Sequence, residues 1–345
     1  MTGPAPLSTQ HLVRIDRVGP AIAAATGIGD WTNLSAELVS GGKSNLTFEL
    51  VSAAGSLILR RPPSGELLPS AHDMGREARI QRALAPTPVP VAPIVLEDGG
   101  DLIGVPFYVM EKMPGHVIRG ELPDGYATTP KERRLLTYTF VDTLAALHAV
   151  DPDEVGLGDY GRPNGFLERQ IRRWGGQWQA SRTTEVAAVE ELGRRLRAAR
   201  PAESANTIVH GDFRLDNCLL DPADPGRIAA VLDWELSTLG DPLTDLGMLL
   251  FFWRGPGEDS TSLTPGVTHL PGFPDRAEVI ARYQAQTGYD LSQIAYYEAF
   301  AHYKFAIIAQ GIAARVQAGS MGGQDFGNLD DEVRDIAAQG LQRLS

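Results

Sequence analysis

The hydrophobic periodicity of this chain shifts from mainly β-type to mainly helical at Pro114-Gly115, and that change limits the folds the chain can adopt. Before it, short segments with β-type patterning follow one another, and only residues 71–84 have a helical pattern. After it, long segments repeat their apolar residues at helical spacing. The predicted strands are 36–40, 46–51, 56–60, 94–96 and 105–111. We therefore predict an α+β protein with a small β-rich lobe, residues 30–113, and a large helical lobe, residues 114–345.

Residues 1–29 are predicted to form an N-terminal leader with short helical turns that are interrupted at Gly19-Pro20. In the second part of the chain, an island of strands and loops at 207–246 interrupts the helical patterns. The helices predicted there are 131–149, 167–181, 185–199, 275–287, 291–318 and 330–344. A two-lobed layout of this kind favours a ligand site between the lobes.

Length, charge and cysteine content exclude several classes of protein. The 345 residues exceed what one core usually organises, which favours two domains. With 31 basic and 43 acidic residues the net charge is −12, which argues against nucleic acid or a membrane surface as a partner. The one cysteine, Cys218, excludes an intramolecular disulfide and a multi-cysteine zinc site, and we predict a small buried hydrophobe there. Because no signal-peptide pattern or bilayer-spanning run is found, we expect a cytoplasmic protein.

The island carries the residues with the most specific chemistry. An apolar pair leads into His210-Gly211-Asp212, and Asn217 follows Asp212 by five positions. A second apolar segment, 228–232, ends directly before Asp233. Phosphoryl transfer from a nucleotide needs one carboxylate to handle the proton of the attacking hydroxyl, and a carboxamide with a second carboxylate to hold Mg²⁺. The ordered combination of these residues indicates that chemistry, although none of them is informative by itself.

Residues 208–247 resemble the aminoglycoside phosphotransferase family, the kinase-like enzymes that include choline kinases. Segments such as residues 59–63, 106–111 and 233–242 are similar to one branch, the kinase-like domains associated with acyl-CoA dehydrogenases. The resemblance implies a bilobal protein kinase-like fold and transfer of a phosphoryl group from ATP or GTP, with Mg²⁺, to a small molecule. It assigns these residues as follows: Asp212 as the catalytic aspartate, Asn217 and Asp233 as metal ligands, and His210 and Asp245 as supports of the catalytic loop.

The same resemblance implies a nucleotide site in the first third of the chain. Ser44 and Asn45 follow two glycines between predicted strands, where the family has a hairpin that covers the nucleotide. Arg60 stands where many relatives have a phosphate-binding lysine, a departure that changes the reach and geometry of the cation. Glu77 on the following helix is expected to pair with Arg60. The remaining nucleotide contacts are expected at the hinge between the lobes, at Glu111 and Met113.

Several alternatives stay open at this stage. The chain is an active small-molecule kinase, a non-catalytic kinase-like module that binds nucleotide, or an antibiotic kinase; Asp212, Asn217 and Asp233 together favour activity. The branch resemblance indicates a hydroxy acid or an acyl derivative as the acceptor. The candidates for the acceptor pocket are Trp253, Arg254, Tyr296, Tyr297 and Lys304. Asp241 and Asp245 are also candidate N-caps of the apolar helix that follows them.

Overall fold

The computed structural model describes residues 9–39, 45–63, 73–258, 261, 263–319 and 327–345. Within these ranges the chain divides into two compact units. The smaller unit ends at Pro114 and takes in one later segment, Ala229–Glu235, while the larger unit holds the rest of the chain from Gly115. The division at Pro114-Gly115 coincides with the change in hydrophobic periodicity. The later segment brings Asp233 into the smaller unit.

The smaller unit is built on a five-stranded antiparallel sheet. Its strands are β1 (Ser35–Leu38), β2 (Leu46–Ser52), β3 (Gly55–Arg61), β4 (Ile94–Asp98) and β5 (Phe107–Glu111), in the order β1-β2-β3-β5-β4. Alternation explains the register, because Phe48 lies opposite Leu59 and Leu50 opposite Leu57, with all four side chains buried on one face. The predicted strands are present, and the last of them begins at Phe107.

Three helices accompany this sheet: α1 (Thr9–Val13), α2 (Ile15–Thr26) and α3 (Met74–Leu84). The predicted interruption at Gly19-Pro20 was wrong, because α2 continues through Pro20. Pro20 is the sixth residue of α2 and therefore removes one backbone hydrogen bond from the helix. Val18 and Ile22 are completely buried in the core formed with the sheet. Burying a side chain of this size contributes roughly 1.5–3 kcal/mol, which offsets the loss. The described part of the expected leader is therefore part of the smaller unit's core.

The described part of the larger unit contains seven further helices. They are α4 (Pro130–His148), α5 (Phe166–Ser181), α6 (Ala187–Ala198), α7 (Leu243–Phe252), α8 (Arg276–Thr287), α9 (Ile294–Gln317) and α10 (Leu329–Arg343). Helix α9 is central, because α5, α6, α7 and α10 all pack against it. The antiparallel sheet of the smaller unit and the helices of the larger unit confirm the predicted α+β class. In the part of the chain that the structure describes, no helix has the length and apolarity needed to cross a bilayer.

Short strands position the loop at the centre of the island. They are β6 (Thr207–Val209), β7 (Cys218–Leu220), β8 (Ile228–Val231) and β9 (Thr238–Gly240), and β6 pairs antiparallel with β9. Residues 210–217 connect β6 to β7 and end in a single 3₁₀ turn, Leu215–Asn217. Cys218 is buried at the start of β7, and burial raises the pKa of its thiol, which confirms the prediction of a small buried hydrophobe.

Candidate functional site

Asp212 lies in the loop between β6 and β7, in direct contact with Asn217. The amide Nδ2 of Asn217 donates to Asp212 Oδ2 at 3.0 Å and to the backbone oxygen of Asp212 at 2.9 Å. Arg214 Nε donates to the same carboxylate oxygen at 3.2 Å. The carboxylate of Asp212 is one-quarter exposed, so it is held in place and yet accessible. Such a group can accept a proton from a hydroxyl that approaches it.

The sharp turn before Asp212 requires a glycine. Gly211 has φ of +84°, and a Cβ atom at this position would lie 2.7 Å from the backbone oxygen of Leu236. Only glycine adopts this conformation without strain and without that clash. The buried ring of His210 also supports the turn, because its Nδ1 accepts a hydrogen bond from the amide of Asp212 at 3.2 Å. The structure therefore contains the hydrogen bond that was expected between this histidine and the loop.

Asp245 supports the loop through hydrogen bonds to its backbone. Its carboxylate is buried and accepts hydrogen bonds from the backbone amides of His210 at 2.6 Å and Gly211 at 2.8 Å. His148 Nε2 lies 3.3 Å from the same carboxylate. Burial by itself would raise the pKa of Asp245, but the hydrogen bonds and charges of its partners lower it below its ordinary value. Of the two candidate caps, Asp241 accepts from the first amide of α7, at Leu243, and Asp245 lies inside the helix.

His148 is a supporting residue that the sequence analysis missed. It ends α4, and its Nδ1 lies 2.7 Å from the hydroxyl of Tyr283 on α8. The chain of contacts Tyr283–His148–Asp245 thus connects two helices to the catalytic loop. The available signal was a histidine on the buried face of α4, but nothing in its local sequence indicated that its partner lies 97 residues away.

Lys304, a predicted acceptor-pocket residue, is buried against the loop between β6 and β7. Its ammonium group is buried and donates a hydrogen bond to the backbone oxygen of Gly211. Among the described residues it forms no ion pair, and the ring of Trp174 lies 5.5 Å from its Nζ. Burial lowers the pKa of Lys304, while the charges of Asp212 and Asp245 oppose that shift. A buried ammonium group held by a carbonyl and two nearby carboxylates can stabilise negative charge at the loop.

A second cluster of functional candidates forms within the smaller unit. Arg60 Nη2 lies 3.1 Å from Asp233 Oδ1 and 3.6 Å from Glu77 Oε2, so the expected ion pair with Glu77 is present. Tyr108 and Asn45 each donate to Glu77 at 3.0 Å. Burial would lower the pKa of Arg60, but Tyr108, Glu77 and Asp233 together raise it. Burial raises the pKa of Glu77, although Arg60 opposes this shift. The cluster holds a permanent cation at the end of β3.

The backbone at Asp233 is in a left-handed conformation. Asp233 follows β8 with φ of +63°, a region where Asp and Asn are tolerated better than other side chains with a Cβ. Directly after it, Trp234 is buried and donates through its indole N–H to the backbone oxygen of Val231 at 3.1 Å. The turn is therefore anchored on one side by an aromatic residue and presents the Asp233 carboxylate to Arg60.

Three further residues were predicted to contact a nucleotide: Ser44, Glu111 and Met113. Ser44 lies outside the described residues. Glu111 ends β5 and is exposed, and its amide donates to Pro93. Met113 packs against the cluster that contains Met74 and Tyr108. Their contact with a nucleotide stays a prediction.

Most of the acceptor-pocket candidates fill the core. Trp253, Tyr296 and Tyr297 are each at most 3% exposed, and their polar atoms bond to Pro274, Leu196 and Asp241, in that order. Arg254 is half-buried, and its Nη2 donates to Thr264 at 2.8 Å. The aromatic candidates therefore have a structural role, because a large side chain on a central helix is buried whatever the function.

The donor atoms suit Mg²⁺. This ion usually takes one or two protein carboxylates or amides and completes its octahedron with water and substrate phosphates. Asn217 uses its Nδ2 for both hydrogen bonds to Asp212, which leaves its amide oxygen as the ligand atom. Asp233 supplies a carboxylate that is one-third exposed. No group of three or more His, Cys, Asp or Glu side chains gathers as a metal site in the described ranges, and a magnesium site shared with phosphates needs no such group.

Comparison with known proteins extends these observations. The profile of a family described as APH, phosphotransferase enzyme family, matches residues 35–296. The rat protein named acyl-CoA dehydrogenase family member 11 is 36% identical to this chain over 308 residues, which are 87% of this chain and 39% of the rat protein. The chain thus spans about two fifths of the length of this curated relative.

Two solved structures show how far the likeness extends in three dimensions. A candidate aminoglycoside phosphotransferase from Ralstonia eutropha has a TM-score of 0.80, with 34% identity and 98% of both chains covered. A thermostable mutant of an aminoglycoside phosphotransferase, in ternary complex with ADP and hygromycin B, has a TM-score of 0.61 with 16% identity, covering 94% of this chain and 98% of the other. The second likeness concerns the fold alone, and both confirm the predicted kinase-like architecture.

Proposed function

Because the chain belongs to the phosphotransferase enzyme family, as residues 208–247 predicted, we propose that it is an active kinase for a small molecule. It transfers the γ-phosphoryl group of ATP or GTP to an acceptor hydroxyl. The observation that carries the proposal is the contact of Asp212 with Asn217, 3.0 Å between Oδ2 and Nδ2, in a loop held by Asp245. A non-catalytic module has no need for a carboxylate that is supported from several sides and remains accessible.

In this proposal Asp212 accepts the proton of the acceptor hydroxyl as the oxygen attacks the γ-phosphorus. Asn217 and Asp233 hold Mg²⁺, which neutralises charge on the phosphates when it is bound. Arg60 binds phosphate oxygens in place of the lysine found in many relatives, and Glu77 orients its guanidinium group. Ser44 contributes a further phosphate contact. Asn45, which donates to Glu77, supports the same cluster.

The hinge completes the proposed nucleotide site. The backbone around Glu111 and Met113 contacts the edge of the base. Glu111 is exposed at the end of β5. We expect the nucleotide and the small-molecule acceptor to be the partners of this chain, and we keep the cytoplasm as its expected compartment.

For the acceptor we propose a hydroxy acid or an acyl derivative. The cations near the loop support an anionic acceptor, because Arg214 lies 3.2 Å from the Asp212 carboxylate, and Arg173 and Arg214 both lie close enough to Lys304 to lower its pKa. A polycationic antibiotic is attracted by carboxylates and repelled by such cations. The name of the curated relatives, acyl-CoA dehydrogenase family members, is compatible with an acyl compound. An aminoglycoside kinase is the second candidate, favoured by the overall fold.

The test measures nucleotide consumption by the protein with Mg²⁺ against a panel of hydroxy acids, amino sugars and choline-like amines. Asp212→Asn is the matched variant, because it keeps the size of the side chain and removes the base. With an acceptor that responds, we expect kcat to fall on the order of 10²–10⁴-fold while nucleotide affinity changes little. Equal turnover by the parent and the variant would remove Asp212 from the mechanism. Nucleotide binding without turnover of any acceptor would favour the binding-module alternative.

A further inference from the structure

A groove of about 860 Å³ lies between α5 and α6, over α9, and shares none of the residues assigned above to catalysis or to nucleotide binding. Its floor is apolar and aromatic, formed by Ile171, Trp178, Val189 and Tyr303. This volume is within the range of pockets that bind a small organic molecule.

Two ion pairs cross the groove, one at each end. Arg200 Nη1 lies 2.7 Å from Glu168 near the start of α5, and Arg182 Nη1 lies 3.0 Å from Glu190 near the start of α6. Since α5 rises about 1.5 Å per residue, the two crossings are roughly 20 Å apart. The pairs connect the two helical segments at both ends of the groove and bound a compartment between them.

The lining of the groove has an excess of positive charge, with four arginines and two glutamates. Arg172 and Arg197 both line it, and neither forms an ion pair with any residue that the structure describes. Arg197 is instead hydrogen-bonded to the hydroxyl of Tyr303. The surrounding segment is basic in an acidic chain: residues 166–200 contain eight arginines and four glutamates, whereas the whole chain has a net charge of −12. Two unpaired guanidinium groups at one apolar floor are suited to a dianionic oxyanion.

A pair of glycines opens the groove. Gly175 and Gly176 lie inside α5, where glycine is unfavourable relative to alanine, and both line the groove. A Cβ atom at Gly175 would lie 3.3 Å from the hydroxyl of Tyr303 and 4.0 Å from Nη1 of Arg197, and one at Gly176 would meet nothing within 4 Å. The missing side chains thus leave space beside the arginine, the feature that a bound molecule needs.

The floor of the groove also contains an unsatisfied donor. Trp178 is only 2% exposed, and its indole N–H has no hydrogen-bond partner. Buried donors without a partner are rare, because each costs free energy. A ligand with an acceptor oxygen on the aromatic floor would satisfy such a group after a small adjustment of the ring.

We propose that this groove binds a small organic phosphate, with its phosphate group between Arg172 and Arg197 and its apolar body on Trp178 and Tyr303. The two arginines bind the oxyanion, and the absence of side chains at Gly175 and Gly176 leaves room for it. The ion pairs between the two helical segments bound the site. The chemical class of the ligand is therefore a phosphate monoester with an aromatic or aliphatic body.

The probe is 1-naphthyl phosphate, titrated into the full chain with saturating Mg²⁺ and ADP so that the proposed nucleotide site is occupied. Isothermal titration is expected to show one site. Inorganic phosphate and 1-naphthol, which each carry half of the probe, are expected to bind at least tenfold more weakly. Arg172→Ala and Arg197→Ala are each expected to reduce affinity for the probe at least tenfold, and Gly176→Leu to abolish binding by filling the groove.

Arg194→Ala is the matched control. Arg194 lies on α6 like Arg197, but it pairs with Glu191 and does not line the groove. Its affinity for the probe is expected to equal that of the parent. Circular dichroism and thermal unfolding of each variant verify the fold. The proposal is overturned if the probe does not bind at millimolar concentration, if the groove variants bind it as the parent does, or if Arg194→Ala weakens it equally.

Discussion

Lys304 donates a hydrogen bond from its buried ammonium group to the backbone oxygen of Gly211, the residue directly before Asp212. The two residues are 93 positions apart in the chain. On the opposite side of the same turn, Asp245 accepts the amides of His210 and Gly211. The backbone turn before Asp212 is therefore held by two opposite charges. The ammonium group of Lys304 binds a backbone carbonyl, and the carboxylate of Asp245 binds two backbone amides.

Replacement of Lys304 by methionine is expected to lower turnover without lowering the stability of the fold. Lys304→Met removes the charge and the donor, so we expect kcat to fall roughly 10–100-fold, which corresponds to about 1.4–2.7 kcal/mol of activation free energy. Nucleotide affinity is expected to change less than about twofold. Because a buried ammonium group is costly to desolvate, the variant is expected to unfold at no lower denaturant concentration than the parent.

Lys304→Gln provides the control for this prediction, because glutamine retains a donor and drops the charge. Turnover is expected in the order parent, glutamine variant, methionine variant. Turnover by Lys304→Met at the rate of the parent would show that the contact with Gly211 has no role in presenting Asp212.

Removing the charge of Asp245 is expected to destabilise the protein. Asp245→Asn places an amide group where two backbone amides donate, so we expect a loss of about 3–5 kcal/mol in the free energy of unfolding at pH 7. The pKa of Asp245 is lowered in the folded protein, so its carboxylate stabilises the fold above its ordinary pKa of 3.8 and loses this contribution as the pH falls through the folded value. The difference between parent and variant is expected to shrink below about pH 4.

Denaturant unfolding over a series of pH values checks this prediction. Asp142→Asn is the matched control, since Asp142 forms an ion pair with Arg282 at a partly exposed position. Such pairs contribute about 0–1 kcal/mol. A loss no larger for Asp245→Asn than for this control would contradict the role assigned to Asp245.

Asp233 offers a test of the magnesium site. Asn is the appropriate replacement, because it tolerates the left-handed backbone at this position whereas alanine adds strain. We expect Asp233→Asn to bind Mg²⁺-ATP on the order of 10–100-fold more weakly and to bind ATP in the presence of EDTA as the parent does. Fluorescence titration with a labelled nucleotide measures both. Glu49→Gln, which alters an exposed ion pair with Lys112 in the same unit, is expected to change neither.

Two glycines of the helical unit are expected to respond in opposite directions to the same substitution. Gly176→Ala in α5 meets no atom within 4 Å, so it is expected to raise the free energy of unfolding by about 0.5–1 kcal/mol. Gly193→Ala in α6 would place a Cβ atom 2.8 Å from the hydroxyl of Tyr303 and is expected to lower it. Thermal unfolding measures both variants, and a shift in the same direction for both would contradict the packing described here.

The sequence by itself determined most elements of this protein and singled out the loop that we propose to be catalytic. Strands such as β2 and β3 and helices such as α4 follow from hydrophobic periods that are local properties of the chain. The spacing of His210, Asp212 and Asn217 also lies within one loop, so residue order is enough to recognise it. Pro20 is the exception, because the burial of Val18 and Ile22 in the tertiary core outweighed a local helix-breaking signal.

Only the tertiary structure decided which distant residues support that loop. Asp245 and Lys304 reach it from two different helices, and their contacts with it span 34 to 93 positions of the chain. His148 acts from a third helix through Asp245, 97 positions away. The same is true of Arg60 and Asp233, which are 173 positions apart. A single charged or aromatic residue on a helix carries no local signal of its partner, since the helix period tells which face is buried but not what is packed against it. Lys304 and Tyr297 were therefore alike as sequence candidates, and packing made one a support of the catalytic loop and the other a part of the core.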